Sequence, residues 1–151
     1  MHIKVLEIDV SKTYSLRHAL LRKGKALESC FFPNDTSEKT IHLGAFESEQ
    51  LIGILSAYPK DCPDHNHLEG VQFRAIAVAP SHQRKGVASN LIQHAIKIVE
   101  EKLHPDFIWL NARIEANSLY QSNGFKSIGA PFEIESIGTH QRFLKPLNND
   151  T

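Results

Sequence analysis

The apolar and polar positions of this chain change period repeatedly, and each change predicts an element. Residues 2–8 alternate, with Ile3, Val5, Leu6 and Ile8 set among polar neighbours, as in a half-buried strand. Ser11 or Thr13 can cap a short helix whose apolar face is Leu16, Ala19 and Leu20, with Gly24 as its stop. Residues 24–39, GKALESCFFPNDTSEK, hold no period and predict a long loop with one helical turn at most near its start. Residues 41–46 and 51–58 read as strands of a hairpin joined by residues 47–50, and the proline-containing stretch 59–69 leads to a central strand starting near Val71.

Residues 72–102, QFRAIAVAPSHQRKGVASNLIQHAIKIVEEK, organise the rest. The strand ends at Val78-Ala79-Pro80, because proline has no N–H to give a ladder. A polar turn, residues 81–85, follows. From Gly86 onward Ala88, Leu91, Ile92, Ala95, Ile98, Val99 and Leu103 recur at helical spacing, the stripe of a long amphipathic helix packed on a sheet. Residues 107–110 form a short apolar strand, so the strand–helix–strand order predicts a right-handed parallel crossover within a mixed sheet. Residues 115–123 predict a helix ended by Gly124, residues 125–128 a strand, residues 131–138 a connecting loop or partial strand, and residues 140–144 a last strand. The fold class is thus α/β (α+β), one domain over residues 1–147 with a polar tail at 148–151.

Composition narrows the partners. Lys plus Arg number 17 and so do Asp plus Glu, so no overall field favours nucleic acid. No apolar run approaches the length of a membrane span and the first residues lack a signal-peptide pattern, so a cytoplasmic protein is expected. The nine His are dispersed and read as mostly surface residues. Cys30 and Cys62 form no CxxC pair. Asp61, Asp64, His65 and His67 crowd one loop without a defined ligand spacing, and no metal is expected.

The chemistry starts at the turn Gln83-Arg84-Lys85-Gly86-Val87-Ala88. The first turn of a helix presents unpaired N–H groups and a positive dipole end, where anions bind. Two cations flank those amides, and Gly86 removes a side chain where a phosphate would approach the backbone. The other reading of these six residues is a solvated basic turn that starts a helix. A nucleotide P-loop is excluded, since no GxxxxGK[ST] pattern is present.

With these segments in view, the chain resembles the GCN5-related N-acetyltransferase (GNAT) superfamily, and in particular a small bacterial single-domain branch. The family signature is Gln or Arg, two residues, Gly, one residue, Gly or Ala, which residues 83–88 match in full. Ala75 to Pro80 looks like the family's fourth strand, and Leu119-Tyr120 with Asn123-Gly124-Phe125 looks like its LYxxxGF motif. Two departures stand out: Arg113 occupies the place of a frequent family asparagine, with Asn111 two positions earlier, and the second helix between the first two strands is scarcely visible.

The resemblance implies a sheet of six to seven strands splayed at strands 4 and 5, with acetyl-CoA as donor substrate and an amine of a small molecule, amino acid or peptide as acceptor. It implies that the backbone of Ile76, Ala77 and Val78 pairs with the pantetheine arm, that the turn from Gln83 through Arg84, Lys85, Gly86, Val87 and Ala88 to Ser89 holds the pyrophosphate, and that Asn111 and Tyr120 complete the cofactor site. The Val78 N–H is the candidate to polarise the acetyl carbonyl, and Tyr120 to protonate the leaving thiolate, against a reading of Tyr120 as a core aromatic with a polar tip. A base or water relay must take the amine's proton, with Glu69, Glu133, Glu135 and His140 as candidates. Phe31 and Phe32 either line an acceptor pocket or plug the core under their loop, and Glu135 joins the acceptor candidates. Arg74, in a strand expected to be largely buried, implies a carboxylate partner or an anionic ligand. A homodimer through the final strands is left open by family analogy. The rival function is a coenzyme A binding or sensing module without transfer.

Overall fold

The computed structural model describes residues 2–65 and 68–147. Seven strands form one sheet: β1 (Ile3–Glu7), β2 (Ile41–Glu47), β3 (Gln50–Pro59), β4 (Gly70–Val78), β5 (Phe107–Arg113), β6 (Lys126–Ile134) and β7 (Gly138–Pro146). Their spatial order is β1-β2-β3-β4-β5-β7-β6. Every pairing is antiparallel except β4 with β5, the parallel crossover expected from the strand–helix–strand order. Helices α1 (Tyr14–Leu20), α2 (Val87–Leu103) and α3 (Asn117–Ser122) complete it.

Strand alternation sorts the side chains to two faces. Ile41, Leu43, Ala45, Leu55 and Ala57 pack with Val87, Leu91, Ile92, Ala95, Ile96 and Val99 of α2 in the main core. Val87 and Ile96 belong to that stripe although the sequence pattern did not single them out, whereas Ile98 and Leu103 lie at its margin. The intervening His42, Ser56 and Tyr58 face the other way, toward α1 and the loop after it.

That second face is closed by a polar cluster. Arg17 is fully buried, and its guanidinium donates to both Asp35 oxygens at 2.7 and 3.1 Å, to Cys30 O at 2.9 Å, to Ser56 Oγ at 3.0 Å and to Tyr58 Oη at 3.1 Å. Tyr58 donates to Asp35 at 2.5 Å, and the Phe32 N–H to its other oxygen at 2.8 Å. Burial pushes the Asp35 carboxyl up, but these donors outweigh it and hold the group below its usual range. Burial, then the bond to Asp35, raises the Tyr58 phenol to about 12. The cluster ties the 24–39 loop, whose only helical piece is the 3-10 turn Leu27–Cys30, to α1 and β3.

Other expectations shift. Thr13 stands at the N-cap of α1 without a side-chain cap bond, and Asp9 caps the 3-10 turn Val10–Thr13 ahead of it, accepting from the Ser11 N–H at 3.0 Å. Of the two alternatives at 131–138, the partial strand is met: β6 runs on to Ile134, and residues 135–137 turn into β7. His42, His82 and His140 are buried rather than at the surface, each hydrogen-bonded. Cys30 and Cys62 are free and buried. His67 and the 148–151 tail lie outside the described residues. Among the described residues no group of three or more His, Cys, Asp or Glu is placed to hold a metal, and no helix is long and apolar enough to cross a membrane.

Candidate active site

Strands β4 and β5 pair only over Gly70–Phe107, Val71–Ile108 and Gln72–Trp109. Beyond these pairs the two strands diverge, and the physical cause lies in β4. Arg74 stands opposite Ser56 and Ala77 opposite Ile54, so β4 carries one extra residue, and Ala75 takes φ 57° to accommodate it. A bulge of this kind bends its strand and re-aims the residues that follow. Further along, β4 stays bonded to β3 and β5 to β7, leaving two facing edges unpaired across a wedge. Because the Ala79 N–H donates to Ile52 O at 2.8 Å, strand alternation turns the Val78 amide to the wedge.

Two cavities flank this wedge. The first, about 630 Å³, lies at the start of α2 and is lined by Val78, Gln83, Arg84, Gly86–Ser89 and, from α3, Ser118, Leu119 and Ser122. The second, about 420 Å³, is lined by Phe32, Phe73–Ile76, Leu110–Arg113, Tyr120 and His140, among others. Helix α3 borders both, since Leu119 lines one and Tyr120 the other. The two cavities are therefore separated by little more than residues 76–78 and 119–120.

The first cavity has features that suit an anion. Helix α2 has seventeen residues, no acidic side chain in its first turn and no side-chain cap, so the amides of its first turn have no side-chain partner. Gly86 adopts φ 83°, and a Cβ there would meet nothing within 4 Å, so the space beside this residue is open. Arg84, with φ 62°, and Lys85 are exposed beside it. Gln83 reaches back to donate to Val78 O at 2.9 Å. Asn123, which the sequence reading noted only within a motif, ties α3 to α2 by donating to Ser89 Oγ at 3.2 Å and to Leu119 O at 2.8 Å. These features fit a pyrophosphate with an extended arm running from it along β4.

In the second cavity, Tyr120 is almost fully buried, and burial raises its phenol to about 12. Its ring packs on Phe125 and Phe143, so its role as a core aromatic and its place on the cavity wall are both met. His140 stacks on Phe132, and its Nδ1 lies 2.9 Å from Gly138 O. A carbonyl only accepts, so Nδ1 carries the hydrogen and Nε2 holds the lone pair in the neutral ring. Asn111 Oδ1 accepts from Arg142 Nε at 2.9 Å, which occupies the side chain expected at the cofactor. Phe32 lines the cavity, with Arg74 at 4.8 Å and Arg22 at 5.5 Å from its ring centre. No sequence pattern singles out Arg22, because its position depends on how the following loop folds back.

Several sequence candidates are not brought to this wedge. Glu69 precedes β4 at its far end, donating its N–H to Asp106 Oδ2 at 2.8 Å, and nine strand residues put it about 25–30 Å from Val78. Phe31 is half exposed and stacks on Tyr14 instead of lining the cavity. Glu135 is exposed in the β6–β7 turn, and Glu133 is held on the surface by Thr139. Arg74 has no carboxylate partner among the described residues; it is stacked between Phe32 and Tyr58.

Comparison with known proteins gives this geometry a family. A family model described as the acetyltransferase (GNAT) family matches residues 10–125. The uncharacterized N-acetyltransferase YitI of Bacillus subtilis (strain 168) is 33% identical over 146 residues, 96% of this chain and 97% of its own length. Among solved structures, Escherichia coli ElaA superposes with a TM-score of 0.74 at 16% identity, covering 95% of this chain and 99% of that one. Arabidopsis thaliana NAA60 in complex with acetyl-CoA superposes with a TM-score of 0.73 at 15% identity, covering 98% of this chain and 100% of that one. At such identities these two likenesses speak for the fold, while the matched model and the full-length relative speak for descent. The chain belongs to the acetyltransferase (GNAT) family and is an acyl-CoA-dependent N-acyltransferase.

Proposed function

We propose that the protein acetylates the amine of a small molecule, amino acid or peptide, with acetyl-CoA as donor, by direct attack in a ternary complex. The observation that carries this reading is the pair of cavities meeting at the β4–β5 wedge, an anion-receiving one at the start of α2 and a second one holding Tyr120 and His140.

The donor supplies an activated thioester; the chain's own residues do the rest. The amides of Arg84 to Ser89 hold the pyrophosphate, helped by the α2 dipole and the absence of a Gly86 side chain. The free edge of Ile76, Ala77 and Val78 offers the extended arm strand-like hydrogen bonds. Gln83 braces the Val78 peptide, and the Val78 N–H donates to the carbonyl oxygen as charge gathers there.

His140 takes the amine's proton, directly or through a water, on the lone pair that its bond to Gly138 leaves at Nε2. Tyr120 stays a neutral donor at every physiological pH, since its pKa stands near 12. A phenol that weak stabilises a departing thiolate mainly by hydrogen bonding. Full proton transfer becomes favourable only to the extent that the same burial also raises the thiol. Cytoplasmic location and a homodimer remain parts of the proposal that a size measurement and cell fractionation address.

The direct experiment is to incubate the protein with acetyl-CoA and an amine library and to follow free thiol. Amine-dependent thiol release supports transfer; tight coenzyme A binding with no release for any amine would leave a binding module and sink the catalytic assignment.

A further inference from the structure

We infer that the acceptor amine carries a carboxylate, held by Arg74 and Arg22 beside Phe32, and an apolar body resting on Leu21 and Ile137. This rests on the acetyltransferase reading and names the substrate class of its second cavity.

The wall of that cavity contains Arg22, Arg74 and Arg113 and not one carboxylate. Only Arg113 has an acidic neighbour, Glu115 at 3.5 Å, in a solvent-exposed pair of little strength. The nearby charge of Arg17 is already matched by Asp35. Arg74 and Arg22 both pack on the ring of Phe32, at 4.8 and 5.5 Å, and neither has a carboxylate partner among the described residues. Ring contact of this kind engages no N–H donor, and neither guanidinium makes a side-chain hydrogen bond or ion pair among the described residues, so their donors remain for a planar, two-oxygen acceptor. Arg74 is half-buried, which makes an unmatched charge there costly and the gain from an anion correspondingly large.

The same field bears on the chemistry. Polyamines and other multiply cationic acceptors are repelled from a wall of three arginines, whereas a zwitterion delivers its own counter-charge. Nearby cations also lower the pKa of the bound amine, raising the neutral fraction that can attack. At the rim, Leu21 and Ile137 are exposed apolar side chains lining the cavity, at 41% and 49% relative exposure. They offer an apolar side chain a place beside a carboxylate.

The test uses L-leucine, L-methionine and L-phenylalanine, each beside its α-carboxamide and its decarboxylated amine, titrated calorimetrically into the full chain with and without coenzyme A. At least one carboxylate is expected to bind ten-fold or more tightly than both of its partners. Arg74→Gln, and separately Arg22→Gln, should shrink that ratio below three-fold with coenzyme A affinity unchanged. Amides or plain amines binding as tightly as the acids, no binding by any acid, or an unchanged ratio in both variants overturns the inference. Thiol release from acetyl-CoA by the unaltered chain is followed in parallel with the same compounds, so failure of the acetyltransferase reading shows separately, as no amine-dependent release.

Discussion

Gln83, the first residue of the glycine turn, donates its side-chain N–H to the carbonyl of Val78, the last residue of β4, at 2.9 Å. The bond spans the strand end and the helix start, so the position of the Val78 peptide and that of the anion-receiving amides are coupled by one side chain. Gln83→Leu removes it without touching the backbone donors. With the loss of about 1 kcal/mol for a neutral hydrogen bond, kcat/KM for acetyl-CoA should fall about five- to ten-fold, read by steady-state kinetics, while the melting temperature stays close to that of the parent.

Gly86→Asp should abolish coenzyme A binding. Asp is a favoured residue at a helix start and tolerates positive φ better than most, and its Cβ meets open space, so the fold survives. The carboxylate then stands where a phosphate must approach. Calorimetry decides it: unchanged affinity removes the phosphate assignment from this turn.

Tyr120→Phe should retain coenzyme A binding and lower turnover about 10²-fold, the low end of what a positioned proton donor contributes. Because the native phenol has its pKa raised to about 12, the turnover that it supports should show no loss from Tyr120 ionisation at any pH up to about 10. Equal rates for variant and parent across the pH range would leave Tyr120 only its packing against Phe125 and Phe143.

Exchanging two of the four base candidates separates near from far. His140→Ala should cost about 10²-fold or more in kcat, whereas Glu69→Gln, at the opposite end of β4, should change it less than two-fold. Parallel kinetics on the two variants test the pair, and a large effect at Glu69 alone would reverse the assignment.

Stability carries its own pH signature. Tyr58 and Tyr120 are both held protonated to about 12 in the fold, while an unfolded chain ionises them near 10. The stability they confer is complete below pH 10 and is lost as pH rises from about 10 through 12. Asp35 acts in the opposite direction: its lowered pKa confers stability above the usual carboxylate range that is lost as pH falls through it. Asp35→Asn, which leaves Arg17 buried beside a neutral partner, should destabilise by about 3 kcal/mol or more and raise the acceptor KM by loosening Phe32. Urea melts across the pH range measure the first effect, and acceptor titrations the second.

Helix α2, its glycine turn and the strand before it were legible because each rests on local rules: a 3.6-residue stripe, a proline that ends a ladder, a glycine whose φ is positive. The succession of elements along the chain followed from the same periodicities, whereas the insertion of β7 between β5 and β6 did not, and the two motifs then marked the donor side. Even there the stripe leaves out Val87 and Ile96, since a sequence window does not say which residues a sheet will cover.

The acceptor side was not legible. A bulge at Ala75 depends on how β4 must register with β3, not on anything in the residues R-A-I themselves. The buried cluster of Arg17, Asp35, Ser56 and Tyr58 joins positions 18 to 41 residues apart along the chain, and no local pattern carries a contact of that range. The placement of Arg22 and Arg74 on one Phe32 ring, the exclusion of Glu69 and the tautomer of His140 all follow from it or from strand pairing. By itself the sequence determined a mixed sheet with a glycine turn opening a long helix, because backbone geometry there is local. Which side chains face the wedge on its other side was decided only by the tertiary structure, because loop closure and register are properties of the whole chain.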